Sequence, residues 1–125
     1  MVSEDKLATT FRKAEKSLDE AKKARGEGDT ETFSRKIWEV GAHLEYLTFT
    51  MRLSLENVDD SWKEKLKAAK EIDVDEEVSK IRSLLKELPS EIITDLEETY
   101  RKAWLARGIT LRIQKELEKP TMKGR

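Results

Sequence analysis

The chain has 125 residues, of which 41% are charged and 37% hydrophobic, with no cysteine and one histidine, His43. This length suits a single domain, and the composition excludes disulfide scaffolds, thiolate zinc sites, iron–sulfur clusters and metal sites built on paired histidines. No apolar run approaches the roughly 18 residues of a membrane span and the N-terminus has no apolar signal core, so we expect a cytoplasmic protein.

The formal net charge of −1 hides a segregation of charge along the chain. Residues 1–52 are balanced, residues 53–99 carry 7 basic and 14 acidic groups, and residues 100–125 carry 8 basic and 2 acidic groups. Two interpretations stay open. The basic end is a surface for a partner, or it is a solvated face that pairs with the acidic middle segment.

The first half of the chain is predicted to form an antiparallel hairpin of two helices, over residues 3–25 and 30–55. Apolar residues recur in each at steps of three and four, which is the helical period. Between the helices, Gly26–Asp29 supplies a glycine cap for the first and an N-cap, Asp29 or Thr30, for the second. The two apolar seams are Leu7, Phe11, Ala14, Leu18 and Ala21, then Phe33, Ile37, Val40, Leu44, Leu47 and Met51.

A second seam on the second helix predicts that this helix is central. Gly41 within it is expected to let a neighbouring element approach closely. A glycine inside a helix lowers stability by about 1 kcal/mol relative to alanine, and such a close approach would account for its presence. The residues of this second seam are Trp38, Gly41, Thr48 and Leu55.

The second half of the chain predicts three more helices. A short one over 62–71 begins at the capping box Ser61–Glu64, and the next runs from 74 to 88 behind Asp73. Pro89 is expected to end it, and the last helix, about 45 Å long if straight, runs from 91 to 119. The fold prediction is an all-α, four- to five-helix, mostly antiparallel bundle over residues 1–119, with a long N-terminal hairpin, a long C-terminal helix and a disordered tail at 120–125.

The sequence predicts no catalytic residue, no metal ligand and no cofactor. Carboxylate-bridged metal pairs in helical bundles need Glu-x-x-His motifs, whereas Glu39 precedes His43 by four residues. The acidic stretches 56–59 and 95–98 are interpreted as helix caps and solvated acids, and Gly26–Gly28 as a turn, because no strand precedes it. His43 is interpreted as a packed or half-buried structural residue, the alternative being a general acid or base facing a groove.

One face of the last predicted helix is basic. At about 100° per residue, four cationic side chains share this face and Gly108 opens a gap between them. Trp104 and Tyr100 flank it, and cations beside aromatic rings can hold a phosphate backbone and a stacked base. The candidate nucleic-acid-binding residues are therefore Arg101, Trp104, Arg112, Lys115 and Lys119. A solvated face that pairs with the acidic segment is the alternative.

The order of helices resembles the HEPN superfamily, in particular its archaeal group of small α-helical proteins. The segments that carry the resemblance are 14–21, Gly28-Asp29, Trp38, 61–66 and 100–104. Active HEPN ribonucleases carry Arg, four to six residues, then His on the last helix, and pair two such motifs across a dimer without metal. No histidine follows Arg101, Arg107 or Arg112, so the resemblance implies a non-catalytic member that keeps RNA contact and dimerisation through the last helices. A thermophilic source fits a chain whose only side-chain amides are Asn57 and Gln114.

The function predicted from the sequence is a non-enzymatic helical interaction module. It is expected to be a homodimer and to associate with RNA or serve as an accessory protein of the toxin–antitoxin type. The length of the last helix is expected to let it pack on a second copy. The alternatives are a metal-independent HEPN-like ribonuclease with an atypical site and a structural subunit of a larger complex. No membrane or small-molecule cofactor is expected.

Overall fold

The computed structural model describes residues 4–55, 63, 73–91 and 96–118, and these contain four helices and no strand. The helices are α1 (Glu4–Gly26), α2 (Thr30–Ser54), α3 (Val74–Glu91) and α4 (Leu96–Glu118). The protein is therefore an all-α helical bundle. Within these residues, no helix has both the length and the apolar composition that a membrane span requires.

The predicted apolar seams form the core. Every residue of the seams of α1 and α2 is at most 2% exposed, because side chains three and four positions apart lie on one side of a helix. On α3, Val74, Val78, Ile81 and Leu85 are buried as predicted. α4 adds mainly small or branched residues, namely Ala103, Ala106, Ile109 and Ile113. Each helix thus stabilises the bundle by burying one stripe of its surface.

The turn between α1 and α2 has the predicted chemistry. Gly28 has a φ of +75°, the left-handed conformation that glycine adopts without steric cost. Its N–H donates to the carbonyl of Arg25, and the N–H of Asp29 donates to the carbonyl of Ala24, so the last carbonyls of α1 are satisfied. The Asp29 carboxylate accepts a hydrogen bond from the N–H of Thr32 at 3.0 Å, which confirms Asp29 as the N-cap of α2.

The four helices form a closed ring in which neighbours are antiparallel. α1 contacts α2 and α3, and α4 contacts α2 and α3. Arg25, near the end of α1, lies 2.6 Å from Asp75 at the start of α3, which fixes the antiparallel order of that pair. Consequently α2 ends at the opposite end of the bundle from the point where α3 begins. The expectation that α2 is central is wrong for the described residues, because each helix has two neighbours.

The boundary predicted at Pro89 is wrong. α3 continues through Pro89 to Glu91, the residue predicted to open the last helix. Proline has no backbone N–H to donate, and it disfavours a helical conformation of the residue before it. In the final turn of a helix few hydrogen bonds follow the proline, so the missing donor disrupts little of the helix. The described α4 has 23 residues, the same number as α1, and is about 34 Å long. The length of α4 therefore gives no support to the prediction that this helix packs on a second copy.

Several predictions lie outside the described residues. These are the turn at 57–60, the capping box at 61–64, most of the helix predicted over 62–71, Lys119 and the tail at 120–125. At the start of α3, the Asp73 carboxylate accepts hydrogen bonds from the N–H groups of Asp75 at 3.0 Å and Glu76 at 3.3 Å. The predicted N-cap at that position is therefore confirmed.

Alanine substitution of two glycines inside helices is expected to change the stability of the protein in opposite directions. A Cβ on Gly41 would lie 2.8 Å from Oγ1 of the buried Thr110, whereas nothing lies within 4 Å of a Cβ on Gly108. Gly108→Ala should raise the free energy of unfolding by about 0.5–1 kcal/mol through helix propensity. Gly41→Ala should lower it by about 1 kcal/mol, because overpacking outweighs the same gain. Urea denaturation of both variants checks this, and equal stabilisation would contradict the close approach of α2 and α4.

Candidate functional site

The predicted basic face lies on the outer side of α4. Arg101 and Lys115 are exposed, Arg112 is half-buried, and Lys119 lies outside the described residues. Gly108 lies on the same face, between Arg101 on one side and Arg112 and Lys115 on the other, as the helical spacing predicts. Arg107 lies on another side, where its guanidinium is 3.7 Å from the Glu45 carboxylate of α2. The arginines of α4 therefore do not converge on one point.

A cleft of about 560 Å³ lies along this face, between α3 and α4. Trp104, Gly108 and Arg112 line it from α4, and Lys80 and Ser83 line it from α3. The missing side chain of Gly108 opens its floor, because nothing else occupies that space. Its apolar walls are completed by Leu84, Leu105 and Ile109. The cleft thus combines an aromatic ring, hydroxyl groups and cations.

An acidic side chain of α3 partly neutralises the cations of this cleft. Glu77 is only 5% exposed, and one of its carboxylate oxygens lies 3.7 Å from a terminal nitrogen of Arg112. The other oxygen lies 3.6 Å from Nζ of Lys80. Both Oε2 of Glu77 and Nε of Arg112 are buried without a hydrogen-bond partner. At this position the acidic middle segment does pair with the basic helix, one of the two interpretations of the charge segregation.

The aromatic residues of the basic face already have a neighbour. Nζ of Lys63 lies 4.8 Å from the centre of the Trp104 ring and 5.5 Å from that of Tyr100. The same ammonium group donates a hydrogen bond to the Tyr100 hydroxyl at 3.1 Å. Ammonium groups within about 6 Å of an aromatic ring are attracted to its electron-rich face. Lys63 therefore adds a cation beside the end of the cleft at which Trp104 lies.

The largest exposed apolar side chains lie on a different surface, the outer side of α2 and the adjoining edge of α4. The exposed fractions are 63% for Trp38, 44% for Tyr46, 64% for Phe49, 73% for Leu53 and 48% for Leu111. The α2 members, together with the exposed Ala42, recur at steps of three and four and form one stripe, which we term the α2 stripe. Leu111 adjoins it across a small groove of about 80 Å³ between α2 and α4, which Trp38 also lines. The four described helices leave this stripe uncovered.

Trp38 is the residue of the second predicted seam that the structure places elsewhere. Thr48 and Leu55 are buried or partly buried, and Gly41 lies at the close approach to α4, as predicted. Trp38 is about 60° from Gly41 around the helix, so it lines the small groove beside Gly41 but is otherwise exposed to solvent. The α2 stripe was not predicted, although residues 38, 42, 46, 49 and 53 repeat at helical spacing opposite the core seam.

His43 is half-buried on α2, as the structural interpretation predicts. Burial lowers the pKa of His43, the positive charge of Lys13 lowers it further, and the negative charge of Glu39 opposes both. Because the ordinary pKa of histidine is about 6.5, this lowering favours the neutral imidazole at pH 7. Among residues 4–55, 63, 73–91 and 96–118, no three acidic or histidine side chains converge as metal ligands would.

No family matches this chain, and neither does any characterised protein or solved structure.

Proposed function

We propose that this protein is a non-enzymatic helical interaction module whose working surface is the α2 stripe. The observation that carries the proposal is the exposure of four large apolar side chains in one stripe on α2. The chain has 41% charged residues, yet none of them lies along the centre of this face between Trp38 and Leu53. Contiguous apolar patches of several hundred Å² on soluble proteins mark sites of association.

The physical reason is the cost of leaving this surface in water. Removing apolar surface from water is worth about 25 cal/mol per Å², so covering Trp38, Phe49 and Leu53 favours association strongly. Trp and Tyr are also among the residues that most often dominate binding energy at protein interfaces. Trp38 and Tyr46 on one stripe therefore support a protein partner more than a solvated surface.

The test substitutes the centre of the stripe. Phe49→Glu places a charge among the apolar side chains and should abolish association. Thr9→Glu adds the same charge on the exposed side of α1 and should leave association unchanged. The measurement is the assembly of the purified chain with itself and with proteins captured from cells that express it. If every association persists in Phe49→Glu, the proposal fails.

The α3–α4 cleft supports a second candidate function, binding of single-stranded RNA. The supporting observation is the position of Trp104, Gly108 and Arg112 along one cleft, with Lys80 and Lys63 close by. Stacking of a base on an aromatic ring is worth about 1–3 kcal/mol, and cations hold the phosphates. The neutralisation of Arg112 and Lys80 by Glu77 limits this attraction. For this second candidate, the sequence resemblance favours a non-catalytic HEPN-like protein that binds RNA.

A titration with single-stranded RNA at low and at physiological salt tests the second candidate. Binding should weaken log-linearly with salt, because cations on the protein release counterions from the phosphates. Arg101→Glu and Lys115→Glu should each weaken it, whereas Lys16→Glu on α1 should not. Absence of binding at low salt would remove RNA from consideration and leave the α2 stripe untouched. Cleavage of the RNA in the same titration would instead favour the ribonuclease alternative.

A further inference from the structure

We infer that the occupant of the α2 stripe is a second copy of this chain, packed with its α2 antiparallel to the first across a two-fold axis next to Tyr46. This inference rests on the proposed function, because it names the partner of the same surface. It differs from dimerisation through the last helices, which the HEPN resemblance implies. Three properties of the stripe carry it: the spacing of its side chains, its charge and its area.

The spacing of the stripe is self-complementary. In an antiparallel pair centred between residues 45 and 46, residue numbers that face each other sum to 91. Trp38 then faces Leu53 of the second copy, and the small Ala42 faces the large Phe49. Tyr46 lies beside its own symmetry mate. A two-fold interface requires this kind of match, because the same patch must fit itself, and alternation of small and large side chains lets the two helices interdigitate.

The charge of the stripe permits contact with an identical surface. Like charges brought together across an interface cost several kcal/mol, and this cost commonly prevents self-association. Between Trp38 and Leu53 the residues at the centre of the stripe, Ala42, Tyr46 and Phe49, are uncharged. Glu45 lies at the edge, where Arg107 of the same chain is 3.7 Å from its carboxylate. The same symmetry brings Glu45 close to its own mate, and Arg107 of each chain offsets this repulsion.

The area of the stripe is sufficient for a specific dimer. Taking about 150–250 Å² for each large side chain, the exposed fractions of Trp38, Tyr46, Phe49 and Leu53 of the stripe, with the adjoining Leu111 of α4, amount to roughly 600 Å² per copy. Two copies would bury roughly 1,200 Å² from these side chains alone, which reaches the lower bound for stable protein interfaces. The residues around them add to this value, so no further partner surface is needed.

Sedimentation of the 125-residue chain at micromolar concentration tests whether the partner of the α2 stripe is a second copy. The expected result is a mass twice the 14.5 kDa of the chain. Phe49→Glu should weaken dimerisation at least 100-fold and sediment as a monomer, while Thr9→Glu remains a dimer. Circular dichroism of each variant establishes that the helices are retained. A wild-type chain that stays monomeric at 100 μM overturns the inference.

Disulfide formation tests the geometry, because the chain has no cysteine of its own. Tyr46→Cys should oxidise to a covalent dimer, since its symmetry mate lies across the axis. Ala42→Cys should not, because its mate is about seven residues, or 10 Å, away along the helix. If both variants formed covalent dimers, the two α2 helices would be parallel. If neither variant did, the chains would associate through another surface. Each of these results overturns the inference.

The failure of this inference is distinguishable from that of the proposed function. A monomeric wild type that captures a different protein, with capture lost in Phe49→Glu, overturns the second copy and keeps the α2 stripe as a binding surface. A monomeric wild type whose associations are all insensitive to Phe49→Glu overturns both.

Discussion

Leu44→Ala is expected to lower the free energy of unfolding by about 3 kcal/mol. Leu44 is fully buried in the apolar seam of α2, so the substitution removes its transfer free energy and leaves a cavity that the neighbouring helices fill only in part. A bundle of this size has a total stability of about 5–15 kcal/mol, so the loss is a large fraction of it. Urea denaturation, with an unchanged slope, would measure it.

Leu53→Ala is the matched control on the same helix. The substitution is chemically identical, but Leu53 is 73% exposed, so the stability of the monomer should change by less than about 0.5 kcal/mol. If the second copy packs on the α2 stripe, Leu53→Ala should instead weaken dimerisation. Equal destabilisation by both substitutions at a concentration where the chain is monomeric would mean that Leu53 is covered within the monomer.

Arg112→Met is the second substitution with a large expected effect, a loss of about 2 kcal/mol. It keeps the volume of the side chain but removes the cation from the buried Glu77 carboxylate, and an unpaired buried charge is costly. The loss should be smaller than for a fully buried pair, because Lys80 still lies 3.6 Å from Glu77 and the Arg112 side chain is 40% exposed. Thermal and urea denaturation at pH 7 measure it.

The double variant Glu77→Leu with Arg112→Met distinguishes the ion pair from simple packing. Replacing both members of a buried pair by apolar residues of similar size is often neutral or stabilising, since neither charge must be desolvated. The double variant should therefore recover most of the stability that Arg112→Met loses. If the double variant were as destabilised as Arg112→Met, or more so, Glu77 and Arg112 would not interact, and the cleft would owe its shape to other contacts.

The apolar seams and the caps could be predicted because they depend on neighbours in the sequence. Phe11 and Leu44 follow a period of 3.6 residues, and Asp29 caps a helix through its own carboxylate. Gly41 was predicted to admit a close neighbour, although the identity of that neighbour, Thr110, was not. These features require knowledge of one helix at a time.

The exposed stripe and the cleft could not be predicted in the same way, because they depend on which helices are adjacent. Trp38 follows a helical period on α2, but only the positions of α1 and α4 decide that it lies in solvent. The basic face of α4 was predicted from one helix, whereas Glu77, which neutralises part of it, comes from α3. The Pro89 prediction was wrong because the rule it used is a statistical preference that the last turn of α3 does not obey.

The ring of helices also has a kinetic consequence. α1 with α2, and α3 with α4, are pairs of helices adjacent in the chain, so each pair can form from contacts of short sequence separation. The contacts of α1 with α3 and of α2 with α4 come from distant parts of the chain and require closure of the connection after Ser54. Chains dominated by local contacts fold in microseconds to milliseconds, since little loop entropy is lost before contacts form. The two hairpins should therefore form early, with their docking as the slower event.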